Sequence, residues 1–222
     1  MQRKITSRRE RPAKSALSRA AVVKAALGIL KKEGLEKVTM RRIAAALETG
    51  PASLYVYVRD TRDLHAQLLD VLVVDLPAPK PGPHWRRDLK QVMEAFLAVL
   101  MRYPEIARLA MGPLGASFGP GSLRLLDTVA GLLLEGGAEV RSASWGVDLL
   151  LAYAVATAVE QAGRDEGGGS GLDSIRQLVE SVDASRHPHL AKLGAELVSG
   201  EGLERFHWGL DALVNGILGK AC

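Results

Sequence analysis

Apolar side chains recur three and four residues apart along almost the whole chain, and almost nowhere in strict alternation. That spacing lines them up on one face of an α-helix and would scatter them over both faces of a strand. It restricts the chain to an all-helical fold. Prolines then divide it. Only Pro51 interrupts the stretch between Pro12 and Pro77, whereas Pro77-Ala-Pro-Lys-Pro-Gly-Pro83 cannot be crossed by a helix. The sequence therefore predicts a basic arm over residues 1–16, a helical domain over 17–76, a proline-rich linker over 77–84 and a larger helical domain over 85–222.

Charge separates the same two halves. Residues 1–64 carry 15 Lys and Arg against 6 Asp and Glu, whereas the remainder carries 14 against 19. A basic front on an acidic remainder points to a polyanionic partner for the front alone, either nucleic acid or an anionic membrane surface. With 47% hydrophobic residues the chain has enough apolar mass for a core, which excludes wholesale disorder. Leu149 to Val159 is the longest clearly apolar helical run and falls short of the roughly 20 residues a bilayer needs. No apolar secretory stretch follows the basic N-terminus, so a cytoplasmic protein is expected. The single cysteine, Cys222, excludes a disulfide framework or a cysteine zinc site within one chain.

Within the front, Val22, Ala26, Ile29 and Leu30 define a first helix stopped by Gly34. Thr39 is a good N-cap for a short second helix with Met40, Ile43, Ala44 and Leu47 on one face. Glu48-Thr49-Gly50 reads as a tight turn, and Pro51 suits the first position of a third short helix through Ser53 and Tyr57. A fourth helix starts at Asp60, with Asp63 completing a near-capping box, and runs on through Leu64, Leu68 and Leu72. Two short helices joined by a three-residue turn behind a supporting helix make a helix-turn-helix. Thr49, Ser53, Tyr55 and Tyr57 would place hydroxyls on the second of them, and Arg41 stands near the start of the first. A plain three-helix bundle with a polar face is the alternative. The basic front favours DNA, because neutralising phosphate supplies most non-specific affinity.

The stretch AAVVKAALGILKKEGLEKVTMRRIAAALETGPASLYVYVRDTRDL resembles the N-terminal domain of the tetracycline-repressor (TetR) family of transcriptional regulators, over about Ala20 to Leu72. Ala25-Ala26, Leu30 and Gly34 carry the likeness, with Thr39-Met40-Arg41, Ile43-Ala44, Leu47 and Ser53-Leu54-Tyr55-x-Tyr57. The resemblance implies DNA contacts at Thr39, Arg41, Pro51, Ala52, Ser53, Tyr55 and Tyr57, the last on phosphate. Two positions depart from the family pattern. Glu48 stands where the turn commonly has glycine, and Thr61 stands where a phosphate-binding lysine is usual. Either Arg62 next door replaces that lysine or the contact is absent.

Beyond the linker, Trp85, Leu89, Val92, Phe96, Val99, Leu100 and Tyr103 mark a long amphipathic helix, and Pro104 to Met111 allows a short one. A Gly- and Pro-rich loop over 112–121 precedes a helix that Ser122 could cap and Gly136-Gly137 would stop. Ser142 to Gln161 is apolar almost all round, Gly163 to Gly171 reads as a loop, and Leu172 to Val182 forms a further helix. Leu203, Phe206, Leu210, Leu213 and Ile217 alternate by three and four as a heptad seam. Together with the alanine-rich run at Ala152 to Ala156, that seam is expected to form the dimer interface, as a four-helix bundle from two chains. Burial of both helices within one chain is the alternative. The run Gly209-Leu-Asp-x-Leu-x-x-Gly216 resembles, more weakly, the family's ligand and dimer domain.

Phe96, Leu100, Tyr103, Leu109, Met111, Phe118, Leu126, Trp145 and Tyr153 are the candidate lining of an apolar effector pocket, gated by the 112–121 loop. No arginine cluster accompanies them, so a hydrophobic or aromatic effector is expected rather than a phosphorylated one. No catalytic constellation, cofactor or metal site can be assembled. Gly167 to Gly171 lacks the Lys-Ser/Thr of a phosphate loop, and His187 and His189 have no third ligand near them in sequence. The arm Arg3 to Lys14 is either a disordered tail or a groove contact. The resulting expectation is a homodimeric repressor of a palindromic operator, released or engaged by a small molecule. A helical enzyme and a membrane-surface protein are the competing readings.

Overall fold

The computed structural model describes residues 17–110, 119–166, 170–200 and 202–219. The arm over 1–16, Met111, Phe118 and most of the glycine-rich segment at 167–171 lie outside these residues. Every regular element among the described residues is helical. The chain divides into two compact units, Met1–Leu64 and His65–Cys222.

In the first unit, α1 (Arg19–Glu33) begins where Ser18 Oγ accepts the Ala21 amide at 3.2 Å. It ends at Gly34, whose φ of 84° lets its own amide reach back to Leu30 O. A 3₁₀ turn (Leu35–Lys37) leads to Thr39, whose Oγ1 accepts the Arg42 amide and starts α2 (Met40–Ala46). The turn after α2 is closed by the Thr49 amide on Ala44 O, with Glu48 at φ 49°. Pro51 opens α3 (Pro51–Leu54), a single turn, and hydrogen-bonded turns continue through Tyr57. The core here is Val22, Ala26, Ile29, Leu30, Leu35, Val38, Ile43, Ala44, Leu54 and Val58.

Helix α4 (Thr61–Val73) starts with reciprocal carboxylate caps. Asp60 Oδ1 accepts the Asp63 amide at 2.8 Å, and Asp63 Oδ2 accepts the Arg59 amide at 2.9 Å. The division between units falls inside this helix, ahead of the proline-rich segment. Val73 and Leu76 belong to the core of the second unit, which is why residues 77–84 sit within that unit rather than at its edge.

The second unit is built on α5 (Trp85–Arg102), α6 (Pro104–Ala110), α7 (Pro120–Glu135) and α8 (Val140–Glu166). It continues with α9 (Ser170–Glu180), α10 (Pro188–Leu193), a 3₁₀ segment (Gly194–Val198) and α11 (Gly202–Leu218). Helices α5, α6, α7 and α11 all pack against α8. Helix α8 is longer than the sequence spacing suggests and extends through Gly163 to Glu166. By length and composition Val140–Arg164 could cross a membrane. Its Val147, Leu150, Ala154 and Ala158 instead fill the core, and Arg141, Asp148 and Glu160 lie on its open side. The start of α7 also differs from expectation. Ser122 is its third residue, and Asp70 of α4 supplies the cap by accepting the Ser122 amide.

Candidate functional site

The helix-turn-helix exposes the residues that its sequence nominated. Pro51, Ala52 and Ser53 are exposed, Tyr55 is 55% exposed, and Thr39, Arg41, Thr61 and Arg62 are open to solvent. Thr49 and Tyr57 are half-buried. Leu54, between Ser53 and Tyr55, and Val58, just after Tyr57, are buried and anchor this segment from beneath. The recognition segment is therefore an apolar wedge with a hydroxyl-bearing outer face.

Two supporting interactions were not readable from spacing. Arg19, in the first turn of α1, donates from Nε to Tyr57 O at 3.2 Å and fixes the chain just after α3. Arg42 donates from Nη2 to Glu33 Oε1 at 2.8 Å and from Nε to Oε2 at 3.4 Å, tying α2 to the end of α1. Arg41, adjacent, makes no such bond among the described residues. The arrangement offers one arginine and several hydroxyls to a groove, on a rigid three-helix base.

In the second unit the residues of the expected ligand set differ in their exposure. Phe96, Leu100 and Tyr103 are buried, and Leu126 is half-buried against the core. Leu109 and Trp145 are 47% and 69% exposed, facing outward. Helical spacing places residues on a face but does not say which neighbour covers that face. Met111 and Phe118 of the set lie outside the described residues. Of the described members, Tyr153 alone borders an open cleft of about 700 Å³ between the end of α8, the 3₁₀ segment and the start of α11.

One wall of this cleft is aromatic. Tyr153 stacks on Phe206 with ring centres 5.3 Å apart and planes within 5°. Its hydroxyl lies 3.1 Å from Arg205 O and 3.3 Å from Phe206 O, and burial pushes its phenol pKa up. Thr157, Glu160, Gln161 and Arg164 continue the wall, with Glu160 and Arg164 paired at 2.6 Å. Arg205 holds the facing segment by donating to Leu197 O and Ser199 O. The sequence carried a signal for this face. Thr157, Glu160, Gln161 and Arg164 are polar at spacings of three, four and seven on an otherwise apolar helix.

Most of the heptad seam faces inward. Phe206, Leu210 and Ile217 are buried in the chain's own core with Val214, and Leu213 packs partly against it. Leu203 is 55% exposed. The core around α8 takes up this stripe, which leaves Phe206, Leu210 and Ile217 little surface to offer a second chain. The large apolar side chains left open on α8 and α11 are Val140, Trp145, Leu149, Leu203 and Trp208.

An exposed helix-turn-helix ahead of an all-helical second unit with a small-molecule-sized cleft defines a ligand-responsive DNA-binding regulator. Comparison with known proteins agrees. Residues 22–68 match the family model described as bacterial regulatory proteins, tetR family, and residues 78–220 match the tetracyclin repressor-like C-terminal domain. A curated relative, the HTH-type transcriptional repressor DrrR1 of Streptomyces coeruleorubidus, is 30% identical over 96% of this chain and 82% of its own length. The solved structure of SCO7704 from Streptomyces is 40% identical, with TM-score 0.78 over 95% of this chain and 97% of that one. ActR of Streptomyces coelicolor in complex with actinorhodin is 31% identical, with TM-score 0.80 over 92% and 98%. The chain belongs to the TetR family of transcriptional regulators. Regulators of this family are generally non-enzymatic; they bind DNA and small molecules and typically dimerise.

Proposed function

We propose that this protein represses transcription as a homodimer on a palindromic operator and is controlled by an aromatic small molecule held beside Tyr153. The exposed recognition segment Pro51 to Tyr57 on its buried Leu54 and Val58 anchors carries the DNA half of this reading. Thr39, Arg41, Thr49, Ser53 and Tyr55 would meet base edges and nearby backbone, with Tyr57 and Arg62 on phosphate. Two copies would set their recognition helices about 34–36 Å apart, one turn of DNA. Ligand would act by favouring a dimer geometry that no longer matches that spacing.

The dimer surface in this reading is the open apolar side of α8 and α11, which carries Trp145, Leu149 and Trp208, the last also bordering the cleft by Tyr153. Three such side chains left in water are costly, each worth roughly 1.5–3 kcal/mol when buried. The effector site is the cleft by Tyr153, whose volume of about 700 Å³ suits a drug-sized molecule. Its stacked Tyr153–Phe206 wall favours a flat aromatic ligand, and the ActR–actinorhodin complex is a related case of small-molecule binding. A cytoplasmic location goes with this reading, because the operator would lie there. The enzyme and membrane-surface readings are not favoured by the family assignment.

Selection of bound fragments from random duplexes tests this. An inverted repeat with half-sites one helical turn apart is expected. Enrichment of no common sequence would overturn the operator reading. Thermal-shift screening with flat aromatic molecules tests the effector, with Tyr153→Ala expected to abolish any stabilisation that a hit gives the wild type.

A further inference from the structure

Two arginines stand side by side at the start of α2, and the fold treats them differently. Arg41 projects from the first turn with no ion pair or hydrogen bond to its side chain among the described residues. Arg42 is held through two nitrogens by both carboxylate oxygens of Glu33, at 2.8 and 3.4 Å. Neither partner is hidden, because the Arg42 and Glu33 side chains are 48% and 34% exposed. The pair lies at the start of α2, beside Thr39 and Arg41, which the DNA-binding reading sets against the duplex. A cation placed there would ordinarily be spent on phosphate. Here its charge is already neutralised, by an acidic residue that ends α1, where the helix dipole does not favour a carboxylate.

We propose that Glu33 is an affinity-setting residue, which withholds Arg42 from DNA phosphate and keeps the non-specific affinity of the domain low. A lower background affinity raises the contrast between operator and bulk DNA, because phosphate contacts bind all sequences alike. Removing the carboxylate releases Arg42 to make one further phosphate contact. This inference rests on the DNA-binding reading, and the experiment keeps the two separable.

The measurement is the affinity of the full-length protein for a 30-base-pair duplex of random sequence between 50 and 200 mM salt. Wild type, Glu33→Gln, Arg42→Ala and the double variant are compared. One added phosphate contact steepens the slope of log K against log salt by about 0.9, so the ratio of affinities at the two salt concentrations rises roughly 3.5-fold. Glu33→Gln is expected to show that steepening, Arg42→Ala to match the wild-type slope, and the double variant to match Arg42→Ala. Circular dichroism melting of each variant establishes that all four proteins are folded at the assay temperature.

A Glu33→Gln slope equal to wild type overturns the proposal. So does an equal gain from Glu33→Gln with and without Arg42, which would reduce Glu33 to its bulk charge. Arg42→Ala flattening the wild-type slope by about 0.9 overturns it too, since Arg42 would then already be on phosphate. Failure of the wild type to bind the duplex at 50 mM salt would overturn the DNA-binding reading, and this proposal with it.

Discussion

Asp70 of α4 caps α7: its Oδ1 accepts the Ser122 amide at 2.7 Å, although the two residues stand 52 positions apart. Arg124, two residues further along α7, donates to Val74 O and Leu76 O and so holds the segment that follows α4. The helices approach closely because Gly121 has no side chain, and a Cβ there would collide with Asp70 O. The start of α7 is thus completed by α4, and α7 in turn fixes the chain that leaves α4.

Removing that cap should cost stability. Asp70→Ala leaves the Ser122 amide unpaired in a partly buried site and is expected to destabilise the chain by about 1.5–3 kcal/mol, the range for a hydrogen bond to a charged group. Gly121→Ala should be at least as damaging, because the clash is with backbone. Urea unfolding checks both. A midpoint unchanged in Asp70→Ala would show that solvent satisfies the amide equally well.

Glu48 occupies the left-handed region at φ 49° in the turn between α2 and α3. A side chain there costs roughly 1–2 kcal/mol, and glycine avoids most of that cost. Glu48→Gly is therefore expected to raise the melting temperature by about 2–4 °C for a chain of this size. A lower melting temperature would mean that the contacts of Glu48 outweigh its backbone strain.

Leu210 and Trp208 lie two residues apart on α11 and should fail in different ways. Leu210 is fully buried, so Leu210→Glu places a charge in the core and is expected to unfold the chain, at roughly 4 kcal/mol or more. Trp208 is 76% exposed, so Trp208→Glu should leave the circular dichroism and melting of the isolated chain intact while weakening association. Light scattering at micromolar concentration distinguishes them. A Trp208→Glu protein as dimeric as the wild type would move the interface elsewhere.

His65 introduces a pH dependence. Its ring is partly buried with Nε2 unpartnered, and burial holds its pKa below the ordinary histidine value. The unfolded chain then takes up a proton before the folded one. Stability from this residue is complete above about pH 6.5 and falls as the pH drops through and below that value. Chemical unfolding at pH 7.5 and 5.5 should show a larger loss for wild type than for His65→Leu. Equal losses would place the pH sensitivity on other groups.

Tyr57 and Arg41 are expected to weaken DNA binding differently. Tyr57→Ala should lower affinity for operator and scrambled duplex alike, whereas Arg41→Ala should cost about 1–3 kcal/mol of discrimination between them. Gel shifts at matched salt on the selected operator decide this. Identical affinities in both variants and wild type would remove these residues from the interface.

The first unit was legible residue by residue because its signals are local. Thr39 caps, Gly34 stops, Asp60 and Asp63 cap reciprocally, and Pro51 starts a helix, all within four residues of what they control. The turn residues and the exposed hydroxyls of Ser53 and Tyr55 follow from the same short range. Even here the Arg19–Tyr57 and Glu33–Arg42 contacts stayed hidden, since they join residues 38 and nine apart.

In the second unit the sequence by itself determined that the chain is helical and that α7 stops at Gly136 and Gly137, though not that α8 runs on to Glu166. It did not determine which apolar stripe meets which. Phe206, Leu210 and Ile217 carry a seam that would suit a second chain equally well, and only the packing of α11 on α8 decided that they belong to the core. The same packing drew Phe96 and Leu100 inward, left Trp145 and Trp208 outside, and opened a cleft at Tyr153. Hydrophobic periodicity specifies that a face must be covered, because burial is non-directional. What covers it is set by contacts between residues distant in sequence, which only the folded chain brings together.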